Sequence, residues 1–147
     1  MRLSRKGEYA LRAMIVLGKG FGQGPHRIQD IAEQEQIPKK FLEQILLDLK
    51  RAGLVQSKRG AGGGYLLARD PEDVTFAEIV RVIDGPLAPL SCVSDHARVR
   101  CPDEKTCGLY SIMREVRNAV AGIMENTTLK DACAPKGKTR RRGVRKA

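Results

Sequence analysis

Five residues, Gly60-Ala61-Gly62-Gly63-Gly64, separate two short runs of β-forming character, Val55-Gln56-Ser57-Lys58-Arg59 and Tyr65-Leu66-Leu67-Ala68. Glycine this dense interrupts regular structure, so the pair reads as a hairpin with a thin, sharply turned tip. Glycine-rich loops also cradle phosphates, but a P-loop ends in Gly-Lys-Ser/Thr, whereas Gly64 is followed by Tyr65-Leu66. A dinucleotide fingerprint needs a buried strand before the glycines and a helix opening on them, and the pattern has neither. The tip is backbone that can approach a DNA groove closely, with Lys58 and Arg59 as cations at its base. An ordinary flexible hairpin would use the same glycines.

What precedes the hairpin narrows the fold. From Ser4 to Gly18 the apolar residues Ala10, Ala13, Met14 and Leu17 recur at three and four, and Gly18, Gly20, Gly22 and Gly24 then end the pattern. Ile28, Ile31 and Ala32 mark a short second helix, and Gln36-Ile37-Pro38 forms a tight turn in which Pro38 suits the first position of a third. That third helix runs to about Ala52, with Phe41, Leu42, Ile45, Leu46 and Leu49 as its buried stripe and Gly53 as its stop. Two helices joined by a tight turn and followed by a hairpin make a winged helix-turn-helix, within a chain that is mainly α. In such a motif the N-terminal residues of the second helix face base edges, here Lys39, Lys40, Glu43 and Gln44. Gln pairs with adenine, Lys with guanine or phosphate, and Glu accepts from cytosine. For Lys50 and Arg51, phosphate contact and a merely solvated face are equally good readings.

The charge agrees with a nucleic-acid partner. The 147 residues carry a net +10, and seven of those positives, Lys136, Lys138, Arg140, Arg141, Arg142, Arg145 and Lys146, fall in an acid-free tail that reads as a disordered basic arm. No run approaches the roughly 20 consecutive apolar residues of a membrane helix, and the start lacks a signal-peptide pattern, so a cytoplasmic protein is expected. Enzyme function is not expected, since no nucleophile, base and oxyanion donors occur together and the histidines are His26 and His96 alone.

Beyond the hairpin, Thr75 and Glu78 form a capping box for a helix ending near Asp84-Gly85-Pro86. The segment from Pro89 to Cys107 has no apolar periodicity and is ordered only if something holds it. It contains Cys92, Cys101 and Cys107, and in a reducing compartment such a cluster favours metal or redox chemistry over disulfides. Thiolates are the preferred iron–sulfur ligands, while structural zinc favours tight Cys-x₂₋₄-Cys pairs, absent here. An apo or thiol-switch loop is the further option. Cys133, before Pro135, stands apart from the three. Leu109, Ile112, Met113, Val116, Ala119, Val120 and Ile123 then give almost five turns of apolar stripe, more than a monomer of this size has core to cover, which points to a homodimer. The expected organisation is a DNA-binding domain at 1–86, a cysteine loop at 87–108, a dimerisation helix with its end cap at 109–132 and a basic tail at 133–147.

Met1-Arg2-Leu3-Ser4-Arg5-Lys6-Gly7-Glu8-Tyr9-Ala10-Leu11-Arg12, Phe41-Leu42-Glu43-Gln44-Ile45-Leu46, Arg59-Gly60-Ala61-Gly62-Gly63-Gly64-Tyr65 and Asp84-Gly85-Pro86-Leu87-Ala88-Pro89 resemble, in order and spacing, the Rrf-two family of bacterial winged-helix transcription regulators, including the IscR, NsrR and RirA types. The resemblance covers about residues 1 to 132. It implies a homodimer whose long helix crosses to the other protomer, recognition of palindromic double-stranded DNA, and often an iron–sulfur cluster, 4Fe–4S or 2Fe–2S, that switches DNA affinity. The IscR type has a His three residues after the last Cys, where this chain has Tyr110. In the NsrR-like arrangement an acid near the N-terminus of the other protomer completes the site, and Glu8 occupies the matching position. A Glu in a first helical turn also simply complements the dipole. His96 is a further candidate ligand, and the spacing from Cys92 to Cys101 is nearer the RirA type. The resulting expectation is a transcription regulator, most simply a repressor, responding to redox state, nitric oxide or iron through the cluster. Its rivals are a cluster-free regulator using thiol oxidation or a protein partner, and a small iron–sulfur electron-transfer protein.

Overall fold

In the computed structural model, which describes residues 2–134, the Ser4 hydroxyl accepts from the Gly7 N–H at 2.9 Å and opens α1 (Arg5–Lys19). The basic arm expected at the C-terminus begins at Cys133, and residues 135–147 lie outside the described residues. Two shorter helices follow α1. The first, α2 (Ile28–Glu35), ends at Gln36, whose left-handed φ of 55° makes the tight turn. The second, α3 (Lys39–Arg51), has Pro38 as its N-cap rather than inside the helix, one position earlier than its fixed φ suggested.

The hairpin is present, with β1 (Val55–Lys58) antiparallel to β2 (Gly64–Leu67) and Val55 opposite Leu67. Both strands differ slightly from the expected spans, and Arg59 falls in the tip rather than in β1. At the tip, Gly63 passes so close to the Lys58 carbonyl that a Cβ there would lie 2.3 Å from its oxygen, which excludes any larger residue. His26 pairs with Tyr65 through two backbone bonds of 2.8 Å, adding an isolated bridge beside β2.

A single 3-10 turn at Pro71–Asp73 leads into α4 (Phe76–Asp84), where both halves of the Thr75/Glu78 capping box form and Gly85 is the C-cap. A second 3-10 turn, Ser91–Val93, interrupts the cysteine segment. The long helix is α5 (Gly108–Asn126), followed by α6 (Leu129–Cys133), whose own capping box joins Thr128 and Asp131.

The core lies under the helix-turn-helix and hairpin. Ala10, Met14 and Leu17 of α1, Ile31 of α2, Leu42, Ile45, Leu46 and Leu49 of α3, and Ile79 of α4 pack together, each leaving at most about 1% exposed. Burial of each large aliphatic side chain contributes roughly 1.5–3 kcal/mol, so α3 is held rigidly from behind. Leu129 belongs to the same core, because Val74 and Leu129 pair through a 2.8 Å backbone bond beside the Thr75–Thr128 bridge. The segment after α5 is thereby fastened to the core of the helix-turn-helix. By contrast, Ala121 is the one fully buried residue of α5. Among the described residues no helix is long and apolar enough to cross a membrane.

Candidate nucleic-acid interface and cysteine loop

The first turn of α3 breaks two local rules together. Its N-cap is Pro38, which makes no side-chain cap bond, and the turn holds no acidic residue. Instead Lys39 and Lys40 stand exposed at the positive end of the helix dipole, where an anion is favoured and a cation is not. An arriving phosphate would supply both the missing acceptor and the missing negative charge. One turn on, Glu43 and Gln44 are also exposed on the outer face, so the four residues expected at the base edges lie together on the solvent side of α3.

Behind Gln44 stands a chain of contacts that the sequence reading missed. Gln44 Nε2 donates to Asp48 Oδ1 at 3.0 Å, and Lys6 Nζ of α1 reaches Asp48 Oδ2 at 2.7 Å. The Lys6 hydrogen bond holds the Asp48 carboxyl below its usual range, with Gln44 adding to the effect against the opposing cost of burial. The spacing of four between Gln44 and Asp48 was a readable signal for that half of the chain. Lys6, in another helix, left none.

Phe41 departs from expectation. The periodicity puts it in the buried stripe, yet 54% of it is exposed, and its ring meets Tyr9 edge-on with centroids 6.4 Å apart. Leu42, Ile45, Leu46 and Leu49 fill the core side, leaving Phe41 at its border. On the wing, Lys58 and Arg59 are exposed, and Lys50 Nζ donates to Ser57 Oγ at 2.6 Å, joining the end of α3 to β1. That bond gives Lys50 a structural task besides any phosphate contact.

The cysteine segment is held at several points by its own contacts. Cys92 lies in the Ser91–Val93 turn, whose Val93 and neighbouring Ser94 are buried. The Cys101 N–H donates to Glu104 Oε1 at 3.4 Å, and the Cys107 N–H to the Asp103 carbonyl at 2.8 Å. Cys107 is the N-cap of α5. The three thiols are half-buried and free of disulfides, a donor set of the right chemistry for an iron–sulfur cluster. Within one chain, however, the described residues contain no group of three or more Cys, His, Asp and Glu arranged to hold a metal. Glu8 instead pairs with Arg12 at 2.7 Å and lies beside Arg2 and Arg5. His96 is exposed in the loop. Within a single chain, then, the three thiols are not gathered into one metal-binding group. Cys133 sits elsewhere, its thiol 3.6 Å from the Ile15 carbonyl, and burial pushes its pKa up.

Comparison with known proteins places this arrangement among regulators. Residues 3–135 match the family described as "Rrf2: Iron-dependent Transcriptional regulator". The chain is 41% identical over 138 residues to an rrf2-like HTH-type transcriptional regulator of Rhodobacter capsulatus, covering 90% of this chain and 92% of that one. Its fold is similar to that of CymR, described as the global cysteine regulator of B. subtilis, with a TM-score of 0.76 and 34% identity over 90% of this chain and 96% of that chain. It is also similar to T. potens IscR, with a TM-score of 0.71 and 33% identity over 90% and 85%. These relatives confirm the winged-helix fold expected from the sequence and are transcriptional regulators, not enzymes.

Proposed function

We propose that this chain, which belongs to the Rrf2 family of transcriptional regulators, binds a palindromic double-stranded operator as a homodimer and changes its affinity through the cysteine loop at 87–108. The observation that carries the DNA half is the first turn of α3, where Lys39 and Lys40 occupy the uncapped, acid-free end of a helix otherwise buried with care. In this reading Glu43 and Gln44 read base edges, while Lys58 and Arg59 of the wing contact phosphates.

Support for the homodimer comes from α5. Leu109, Ile112, Val116 and Ile123 form an exposed apolar row, and a second copy of the same helix is the self-complementary cover for it. A two-fold dimer presents two copies of α3 to half-sites separated by about 34–36 Å per helical turn of DNA.

For the sensing half, Cys92, Cys101 and Cys107 are the ligands of an iron–sulfur cluster, with Glu8 of the second protomer completing it. Three free thiols in one loop and the family's iron-dependent description support this reading. The similarity to a cysteine regulator favours the rival, a cluster-free loop acting through thiol chemistry or a partner protein. Anaerobic purification with iron, sulfide and visible-absorbance measurements separates the two. Operator titrations of the iron-loaded and metal-free dimer at matched salt then test the switch, with an expected difference of about 5- to 150-fold. Equal operator affinity of two intact dimers would remove the cluster from the regulatory role.

A further inference from the structure

Between the Ser91–Val93 turn and the inner side of α5 lies a cleft of about 190 Å³ whose walls include Cys92, Asp95, Arg98, Tyr110, Arg114 and Arg117. Three guanidinium groups and a single carboxylate make this wall cationic. Arg98 is answered by Glu104 at 2.6 Å, and Arg117 by Asp95 through one of its terminal nitrogens. Two cationic features of this wall remain unanswered by the described residues. Arg114 makes no ion pair, and the Nε of Arg117 is fully buried without a hydrogen-bond acceptor. Arg98 and Arg117 are each engaged by one carboxylate, so further guanidinium donors remain for an oxyanion that enters the cleft.

We propose that this cleft is a binding site for a small oxyanion, carboxylate or phosphate in type. Arginine suits that role because its planar donors match two oxygens at once. The volume sets the size: it accommodates a five-atom oxyanion with some water, and it is smaller than the roughly 300–1,000 Å³ that drug-sized ligands occupy. Placement on α5 keeps the cleft accessible in a dimer. Tyr110, Arg114 and Arg117 recur at four and three on one helix face, while Leu109, Ile112, Val116 and Ile123 form another. A helix docked on the apolar row leaves the arginine face to the chain's own loop. Because Cys92 shares the wall, a bound anion lies beside it and is expected to limit access to its thiol. The site stands independently of the DNA-binding reading.

The test uses the full-length, reduced, metal-free protein and three probes, inorganic phosphate, sulfate and succinate, against chloride at equal ionic strength. Calorimetry is expected to show saturable binding of one probe per chain, and the ranking of phosphate against succinate separates the two oxyanion sources. Arg114→Gln is expected to weaken binding about ten-fold, the effect of a lost charge-assisted hydrogen bond. Arg98→Gln, on the loop, is a second variant should the first fail to fold by circular dichroism. Mass spectrometry after brief treatment with neutral iodoacetamide is expected to show Cys92 protected by the probe, with Cys101 and Cys107 unaffected. The proposal is overturned if no probe binds more than chloride does, if folded Arg114→Gln binds as tightly as the parent, or if protection is equal at all three cysteines. Operator binding measured in chloride alone reports separately on the regulator reading, so failure of either leaves the other standing.

Discussion

Gln44 shows how one side chain is prepared from behind. Asp48 takes one of its amide hydrogens and is itself fixed by Lys6, which leaves the rest of the Gln44 amide free and its orientation restricted. If α3 reads bases, Gln44→Ala costs about 1–3 kcal/mol on the operator and little on random duplex. Asp48→Ala, which touches no base in this reading, loses about 1 kcal/mol on the operator alone by freeing Gln44. Filter binding or fluorescence anisotropy on both duplexes checks the pair, and equal losses on specific and random DNA would deny Gln44 its base-reading role. Gln44 itself was legible because a recognition helix has a known outward face, whereas Phe41 was not. Hydrophobicity marks it as core, but the border of the stripe and the ring of Tyr9 settle its place, and both depend on tertiary packing.

Among the elements, α4 depends most visibly on its start. The Thr75 hydroxyl accepts from the Glu78 N–H at 3.2 Å, and the Glu78 carboxylate accepts from the Thr75 N–H at 3.0 Å and from Arg69 at 2.7 Å. Thr75→Ala should destabilise the protein by about 0.5–2 kcal/mol in chemical denaturation. Burial raises the Glu78 pKa, but the hydrogen bonds from Arg69 and Thr75 outweigh it and hold the carboxyl below its ordinary value of 4.5. A lowered folded-state pKa gives stability that is present above the ordinary value and lost as the pH falls through the lowered one. The gap between wild type and Glu78→Gln should therefore be widest above about pH 4.5 and close in acid. An equal gap at neutral and at acid pH would sink that account. The α4 box, the α3 stripe and the glycine hairpin were all readable, each from a short pattern with a physical cause. The five-residue α6 is too short to show any periodicity, although Thr128 and Asp131 carry the same capping signature.

For the whole molecule, the exposed row on α5 carries the largest consequence. Ile112 and Ile123 each leave more than half their surface uncovered, and in the proposed homodimer a charge at either would fall in the helix seam, where it is strongly unfavourable. Ile112→Glu is expected to yield a folded monomer by sedimentation, with operator affinity reduced at least about ten-fold because two half-sites no longer bind as one unit. A dimeric Ile112→Glu protein would place the association surface elsewhere. The helix and its stripe were legible as a 3.6-residue repeat. The detailed arrangement of the cysteine segment was not, because aperiodic chain owes its path to contacts such as that between Arg117 and Asp95, distant in sequence and without any repeat to announce them.

The anchoring of Leu129 in the core also has a mechanical meaning. With 19 residues, α5 is a rod of about 28 Å, fastened to the core where Thr127 and Thr128 meet the start of α4 and carrying Cys107 at its opposite tip. A turn of about 5° at the fastened end sweeps that tip through about 2 Å, comparable to the 1–2 Å helix shifts known at switching interfaces. If the cysteine loop is the sensing element, such an arm would be a lever with its fulcrum in the DNA-binding core and its handle at a thiol, and a change in bonding at one sulfur would reach the core as a small rotation.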